Sequence, residues 1–153
     1  MDLNMSSATF FILLAILAGI SVPTQAGINA QLGLWTRSSV LAATISFAVG
    51  TLTLILYTLV TRIPLPSFAT AGNHPWWIWV GGTLGAFFVT VTIILVPRLG
   101  ATTMVTSVLA GQMFASLLLD HFGGLGYPLH PISPGRIAGV LLVCCGVWLI
   151  KTF

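Results

Sequence analysis

Charge is what this sequence has least of. Of 153 residues only 5% are Asp, Glu, Lys or Arg, and 57% are hydrophobic, whereas a soluble domain carries roughly a quarter charged residues. The acids are Asp2 and Asp120, the bases Arg37, Arg62, Arg98, Arg136 and Lys151, and the mean hydropathy is +1.07. A soluble globular domain is excluded. The net charge of +3 and a pI near 9.4 do not indicate nucleic acid either, because single bases spread one per connection make no basic patch.

Chemistry-bearing motifs are equally scarce. The two cysteines, Cys144 and Cys145, are adjacent in an apolar stretch, and neighbouring helical positions point about 100° apart, which suits neither a strain-free disulfide nor a metal clamp. They read as packing or lipid-facing residues. His74 and His130 fall in loops with no metal-ligand spacing, and there is no phosphate loop, catalytic triad, zinc pattern or carboxylate pair. With no nucleophile or base, no cofactor and no metal site in view, the chain reads as a non-enzyme. The run from Thr9 to Val22 followed by Thr24-Gln25-Ala26 imitates a secretory signal. The leader carries Asp2 and no Lys or Arg, however, and further spans follow, so it reads as a retained helix.

What is present is five long apolar runs. A hydrocarbon core of about 30 Å takes roughly 20 helical residues, and the runs at Thr9–Leu32, Ser38–Thr61, Trp76–Val96, Gly100–Phe122 and Pro134–Ile150 meet that length, the fifth only just. The fold class is all-α membrane protein with five transmembrane helices, in a single transmembrane domain over residues 1–153. Two links, Gly33–Arg37 and Pro97-Arg98-Leu99, are short enough to make antiparallel hairpins. Those from Arg62 to Pro75 and from Gly123 to Ser133 are longer and rich in breakers, yet too short for a soluble domain. Trp35, Trp76, Trp77, Trp79 and Trp148 lie near span ends, as interfacial anchors do.

Orientation is set by Lys and Arg in short loops. Here one face holds Arg37, Arg98 and Lys151, the other Arg62 and Arg136 with the N-terminal amine, so the bias is one charge or none. A partner of opposite orientation would account for this. So would a chain that inserts both ways and pairs with its own inverted copy, the arrangement from which many transporters are built.

Polar side chains inside the spans mark the places where something other than lipid is contacted. In the first span Pro23-Thr24-Gln25-Ala26-Gly27-Ile28-Asn29-Ala30-Gln31 places a proline and a glycine where the amides begin, weakening the helix. Gln25 and Asn29 are four apart and share a face with Gly19, Val22 and Ala26. Gln31 lies nearer the interface. In the fourth span Gln112 follows Ala110-Gly111 and falls roughly 1 to 2 Å from the midpoint at 1.5 Å per residue. Gln25, Asn29 and Gln112 are the candidate substrate-binding residues; as helix glue such amides contribute only about 0.6 kcal/mol each.

Asp120, at the end of span four beside His121, shares a membrane face with Arg62 and Arg136. A structural or gating ion pair with one of them is expected, and Asp120 and His121 are the groups available for proton coupling. Gly81 and Gly85, and Gly135, Gly139 and Gly146, form close-packing stripes, which makes span five the candidate dimer helix.

The stretch Gly19-Ile20-Ser21-Val22-Pro23-Thr24-Gln25-Ala26-Gly27-Ile28-Asn29-Ala30-Gln31-Leu32-Gly33 resembles the first-helix signature of YdcZ-type proteins. Gly111-Gln112 leading to Asp120-His121-Phe122-Gly123, and Arg136-Ile137-Ala138-Gly139-Val140-Leu141-Leu142, resemble that family too, so the likeness spans essentially the whole chain. It implies the drug/metabolite transporter superfamily and a multi-pass protein of the bacterial inner membrane. It further implies five helices equivalent to half of a ten-helix EamA-like transporter, occurring as dual-topology homodimers, oppositely oriented homologous pairs or fused duplicates. Related small multidrug resistance proteins couple drug cations to protons through a first-helix glutamate. The first span here has amides instead. The expected activity is therefore secondary transport, by alternating access in an antiparallel dimer, of a neutral or zwitterionic polar metabolite. A non-transporting membrane scaffold or accessory subunit is the alternative. The expected partners are the lipid bilayer, a second copy or an oppositely oriented homologous chain, and a small-molecule substrate.

Overall fold

The computed structural model describes residues 5–67, 72 and 74–153, with side chains from Thr9 onward; Asp2 lies outside the described residues. Every regular element among them is helical. Helix α1 runs Met5–Thr36, α2 Ser39–Val60, α3 Gly81–Leu99, α4 Ala101–Phe122 and α5 Pro134–Thr152. A 3-10 turn, Trp76–Trp79, leads into α3, and another, Gly124–Gly126, follows α4. All five spans are long and apolar enough to cross a membrane.

The helices run longer than the apolar runs alone suggest, because polar residues at the rims keep helical geometry. Helix α1 continues through Trp35 and Thr36, where the Thr36 hydroxyl donates to the Leu32 carbonyl at 2.9 Å. The expected link at Pro97-Arg98-Leu99 is helical to Leu99, so Gly100 alone stands between α3 and α4. It adopts φ 76° and ψ 161°, a region open essentially only to glycine. Pro23 does not break α1. Lacking an N–H, it does leave the carbonyl of Gly19 without its usual helical donor.

Local chemistry sets the other ends. Ser38 caps α2, its hydroxyl accepting from the Leu41 N–H at 3.2 Å. Ser133 caps α5 by accepting from the Arg136 N–H at 3.3 Å, with Pro134 at the first helical position, where its missing N–H costs nothing. Gly123 ends α4 in the left-handed conformation, φ 61°, a common glycine stop.

The chain divides into two units. One spans Thr24–Pro97 and takes in the second half of α1, α2 and most of α3. Its core is Ala42, Ala43, Val89 and Ile93, with Leu32 and Phe88 packed against it. Small residues on α1, α2 and α3 let the helices approach: Gly33 meets Ile93 and Ala42, and Gly85 of α3 meets Phe47 of α2. The other unit contains the residues up to Pro23 and Arg98–Phe153, and there α4 packs along α5. Large apolar side chains of all five helices are exposed, the outward face that lipid requires.

Candidate functional site

The second half of α1 carries a buried stripe of Ala26, Asn29 and Ala30. Gly33, four residues beyond Asn29, continues it to Ile93. Small neighbours bring backbones close around Asn29, which is only 4% exposed. Its Nδ2 is the one buried side-chain nitrogen or oxygen without a hydrogen-bond partner among the described residues. Burying an amide without a partner costs about 1–3 kcal/mol, so this is an expensive group to keep for packing alone. Thr92 of α3, also buried, avoids that cost by donating to the Val89 carbonyl at 2.9 Å.

Gln25 behaves differently from Asn29. Its side chain is exposed and lines a groove of about 210 Å³ with Ser46, Phe47, Gly50, Thr51 and Leu54 of α2. The stripe predicted through Gly19, Val22, Gln25, Ala26 and Asn29 is therefore split. Asn29 sits at its buried centre and Gln25 at its edge, while Gly19 faces open space.

Ser46 and Thr51 are the residues that the sequence reading passed over. In a membrane helix a hydroxyl ordinarily satisfies itself by donating to a carbonyl one turn back. On α2, Thr44, Thr53 and Thr58 do so, to Val40, Val49 and Leu54 at 2.9, 2.9 and 2.8 Å. Ser46 and Thr51, the two hydroxyls that line the Gln25 groove, make no hydrogen bond among the described residues. The groove thus gathers an amide and two hydroxyls with free donors and acceptors and no charged side chain.

In the other unit, Asp120 and Arg136 form an ion pair, Arg136 Nη1 to Asp120 Oδ2 at 3.2 Å. The same Nη1 donates to the His130 carbonyl at 3.1 Å, and the His130 N–H donates to the Asp120 carbonyl at 2.8 Å. His121 Nδ1 accepts from the Ile132 N–H at 3.2 Å. This network ties the end of α4 to the start of α5. Of the two predicted arginines it is Arg136 that Asp120 holds; Arg62 follows α2 in a left-handed conformation with φ 53°. Gln112 is exposed on α4. Of the predicted packing glycines, Gly85 is in contact, while Gly81, Gly135, Gly139 and Gly146 have nothing within 4 Å of an added Cβ. No cluster of three metal-binding side chains occurs among the described residues.

Residues 10–149 match the model of the family described as "Putative inner membrane exporter, YdcZ". The chain belongs to the YdcZ family. Inner membrane protein YdcZ of Escherichia coli (strain K12) is 37% identical over 75 residues, 49% of this chain and 50% of that protein. The match thus spans about half the length of this curated relative. No solved structure matches the chain. With five helices long and apolar enough to cross a membrane, this YdcZ-family member is a multi-pass protein of the inner membrane. Its polar groups are accordingly to be judged as contacts for a passing solute, for lipid or for another chain.

Proposed function

We propose that the chain is a small-molecule secondary transporter working by alternating access in an antiparallel dimer, and that Gln25, Asn29 and Gln112 contact a neutral or zwitterionic polar metabolite. The observation that carries this reading is Asn29. A fully buried amide with an unused donor, next along α1 to a groove-lining amide, is what a polar solute would recognise and what helix packing alone does not need. Ser46 and Thr51 add neutral donors and acceptors beside Gln25. The groove's lack of charge favours solutes without net charge.

The dimer reading rests on the near-equal basic residues of the two faces and on α5, which has no buried residue and an open line of Gly135, Gly139 and Gly146. In an inverted pair the inward- and outward-open states are the same structure seen from opposite sides, so neither needs an energetic bias from sequence. The Asp120–Arg136 pair is then a contact that can be broken and remade as the ends of α4 and α5 move. Asp120 and His121 are the groups through which protons could couple.

Two measurements test this. Topology reporters on the C-terminus of the chain expressed alone should give signal from both sides of the membrane; signal from one side only would overturn the homodimer. Gln25→Ala or Gln112→Ala should abolish transport by reconstituted protein while leaving the folded dimer intact. Preserved transport in either variant would refute the role given to that residue, and no transport by the reconstituted wild type would favour a scaffold.

A further inference from the structure

A crevice of about 310 Å³ runs between α4 and α5 beneath the Asp120–Arg136 pair. Its order of chemistry is graded along the helix. At the end of α4 stand the two charges. Ser116, one turn deeper, lies about 6 Å along the axis from Asp120 at 1.5 Å per residue; the apolar walls Leu117 and Val140 stand at about that level, and Met113 lies about one turn below it.

Three features show that the polar end has unused capacity. The ion pair is half exposed, 38% at the Arg136 side chain and 27% at Asp120. Arg136 uses Nη1 alone for both its bonds, leaving the Nη2 and Nε donors of a five-donor fork, and Asp120 engages Oδ2 while Oδ1 is unused. Ser116 makes no hydrogen bond among the described residues. Thr106 and Ser107 on the same helix donate back to Thr102 and Thr103 at 2.9 and 2.7 Å.

We infer that this crevice is a binding site for a zwitterionic phospholipid of the phosphoethanolamine kind. The free guanidinium donors take the phosphate, the free carboxylate oxygen takes the ammonium, the Ser116 hydroxyl reaches an ester carbonyl, and one acyl chain lies along Met113, Leu117 and Val140. The match is one of charge complementarity. An arginine alone would select anionic lipid, but an arginine already paired with a carboxylate presents both signs, as the headgroup does. The charges also sit where a headgroup sits, Asp120 being two residues from the end of a 22-residue span. Gly139 opens the crevice, since a side chain built there meets nothing within 4 Å. This leaves the deeper part of the α5 glycine line, around Gly146, for contact between copies. The inference is independent of the transported solute.

Native mass spectrometry of the full chain in mild detergent, titrated with phosphatidylethanolamine and phosphatidylglycerol, tests it. The wild type should retain phosphatidylethanolamine over phosphatidylglycerol by a factor of about ten, equivalent to about 1.4 kcal/mol. Asp120→Asn should invert that preference, and Gly139→Leu should lower retention of both lipids while circular dichroism shows the helices intact. Should Asp120→Asn fail to fold, the double variant Asp120→Arg with Arg136→Asp restores a pair and should keep the wild-type preference. Equal retention of the two lipids by the wild type, or an unchanged order in Asp120→Asn, would overturn the proposal. So would full competition by soluble phosphoethanolamine, which would make the ligand a free metabolite, or disulfide crosslinking between copies at position 139, which would make the occupant a second chain.

Discussion

Ile93 Cγ2 occupies the space that a side chain at position 33 would need: a Cβ on Gly33 would lie 2.8 Å from it. Ile93 is buried and β-branched, so its χ1 is stiff and cannot swing the methyl away. Gly33→Ala should therefore destabilise the protein by about 1–3 kcal/mol, the usual cost of overpacking. The Gly33→Ala/Ile93→Ala pair should lose less than the sum of its single variants, because removing Cγ2 clears the clash. Thermal unfolding in detergent measures both; strict additivity would show that the two residues do not interact.

Gly100 makes a second backbone prediction. Its φ and ψ lie where a Cβ clashes with the chain itself, so Gly100→Ala should cost about 1–3 kcal/mol. The neighbouring substitution Ala101→Ser, in ordinary helical geometry, serves as the control. Comparable melting temperatures for the two variants would contradict the assigned conformation.

Asn29 separates stability from activity. If its amide is held for a solute, Asn29→Leu removes an unsatisfied donor and should raise stability by about 1 kcal/mol or more. Transport by the same variant should be lost. A variant less stable than the wild type would mean that the amide has a structural partner, and a variant that still transports would remove Asn29 from the binding site.

Hydroxyls on α2 supply an internal comparison. Cysteines introduced at Ser46 and Thr51 should react with a polar thiol reagent far faster than cysteines at Thr44 and Thr53, in a background with Cys144 and Cys145 replaced. The difference follows from which hydroxyls close on the helix's own carbonyls. Equal rates at all four positions would mean that the Gln25 groove is no wetter than the rest of α2.

The ion pair at the α4–α5 corner should matter little to global stability. Both partners are partly exposed, and such pairs contribute about 0–1 kcal/mol. Arg136→Gln is expected to fall within that range by thermal melting, with any larger loss assigning to the His130 carbonyl bond a share that exposure does not suggest.

Long apolar runs made the five spans legible in the sequence, because length against a fixed bilayer thickness needs no knowledge of packing. Their ends were harder to read. Thr36 and Arg98 look like loop residues by polarity, yet one hydroxyl folds back on its own helix and Pro97 stays inside α3. Spacing put Gln25 and Asn29 on one face, but which of the two is buried depends on where Ile93 and Ala42 press against α1, and no periodicity encodes that. Ser46 and Thr51 were invisible for a related reason. Helix α2 is dotted with hydroxyls, and only the geometry of each one shows whether it is satisfied at home.

The uncharged lining of the Gln25 groove has a consequence for the energetics of the proposed transport. The amides of Gln25 and Asn29 and the hydroxyls of Ser46 and Thr51 share one property: none of them takes up or releases a proton in the physiological range. If these groups hold the solute as proposed, they grip it equally in an acid and an alkaline compartment, and so cannot by themselves be driven by a proton gradient. Recognition and power supply are then separate in this chain. Either the gradient acts through side chains other than those that hold the cargo, or the cargo moves only downhill.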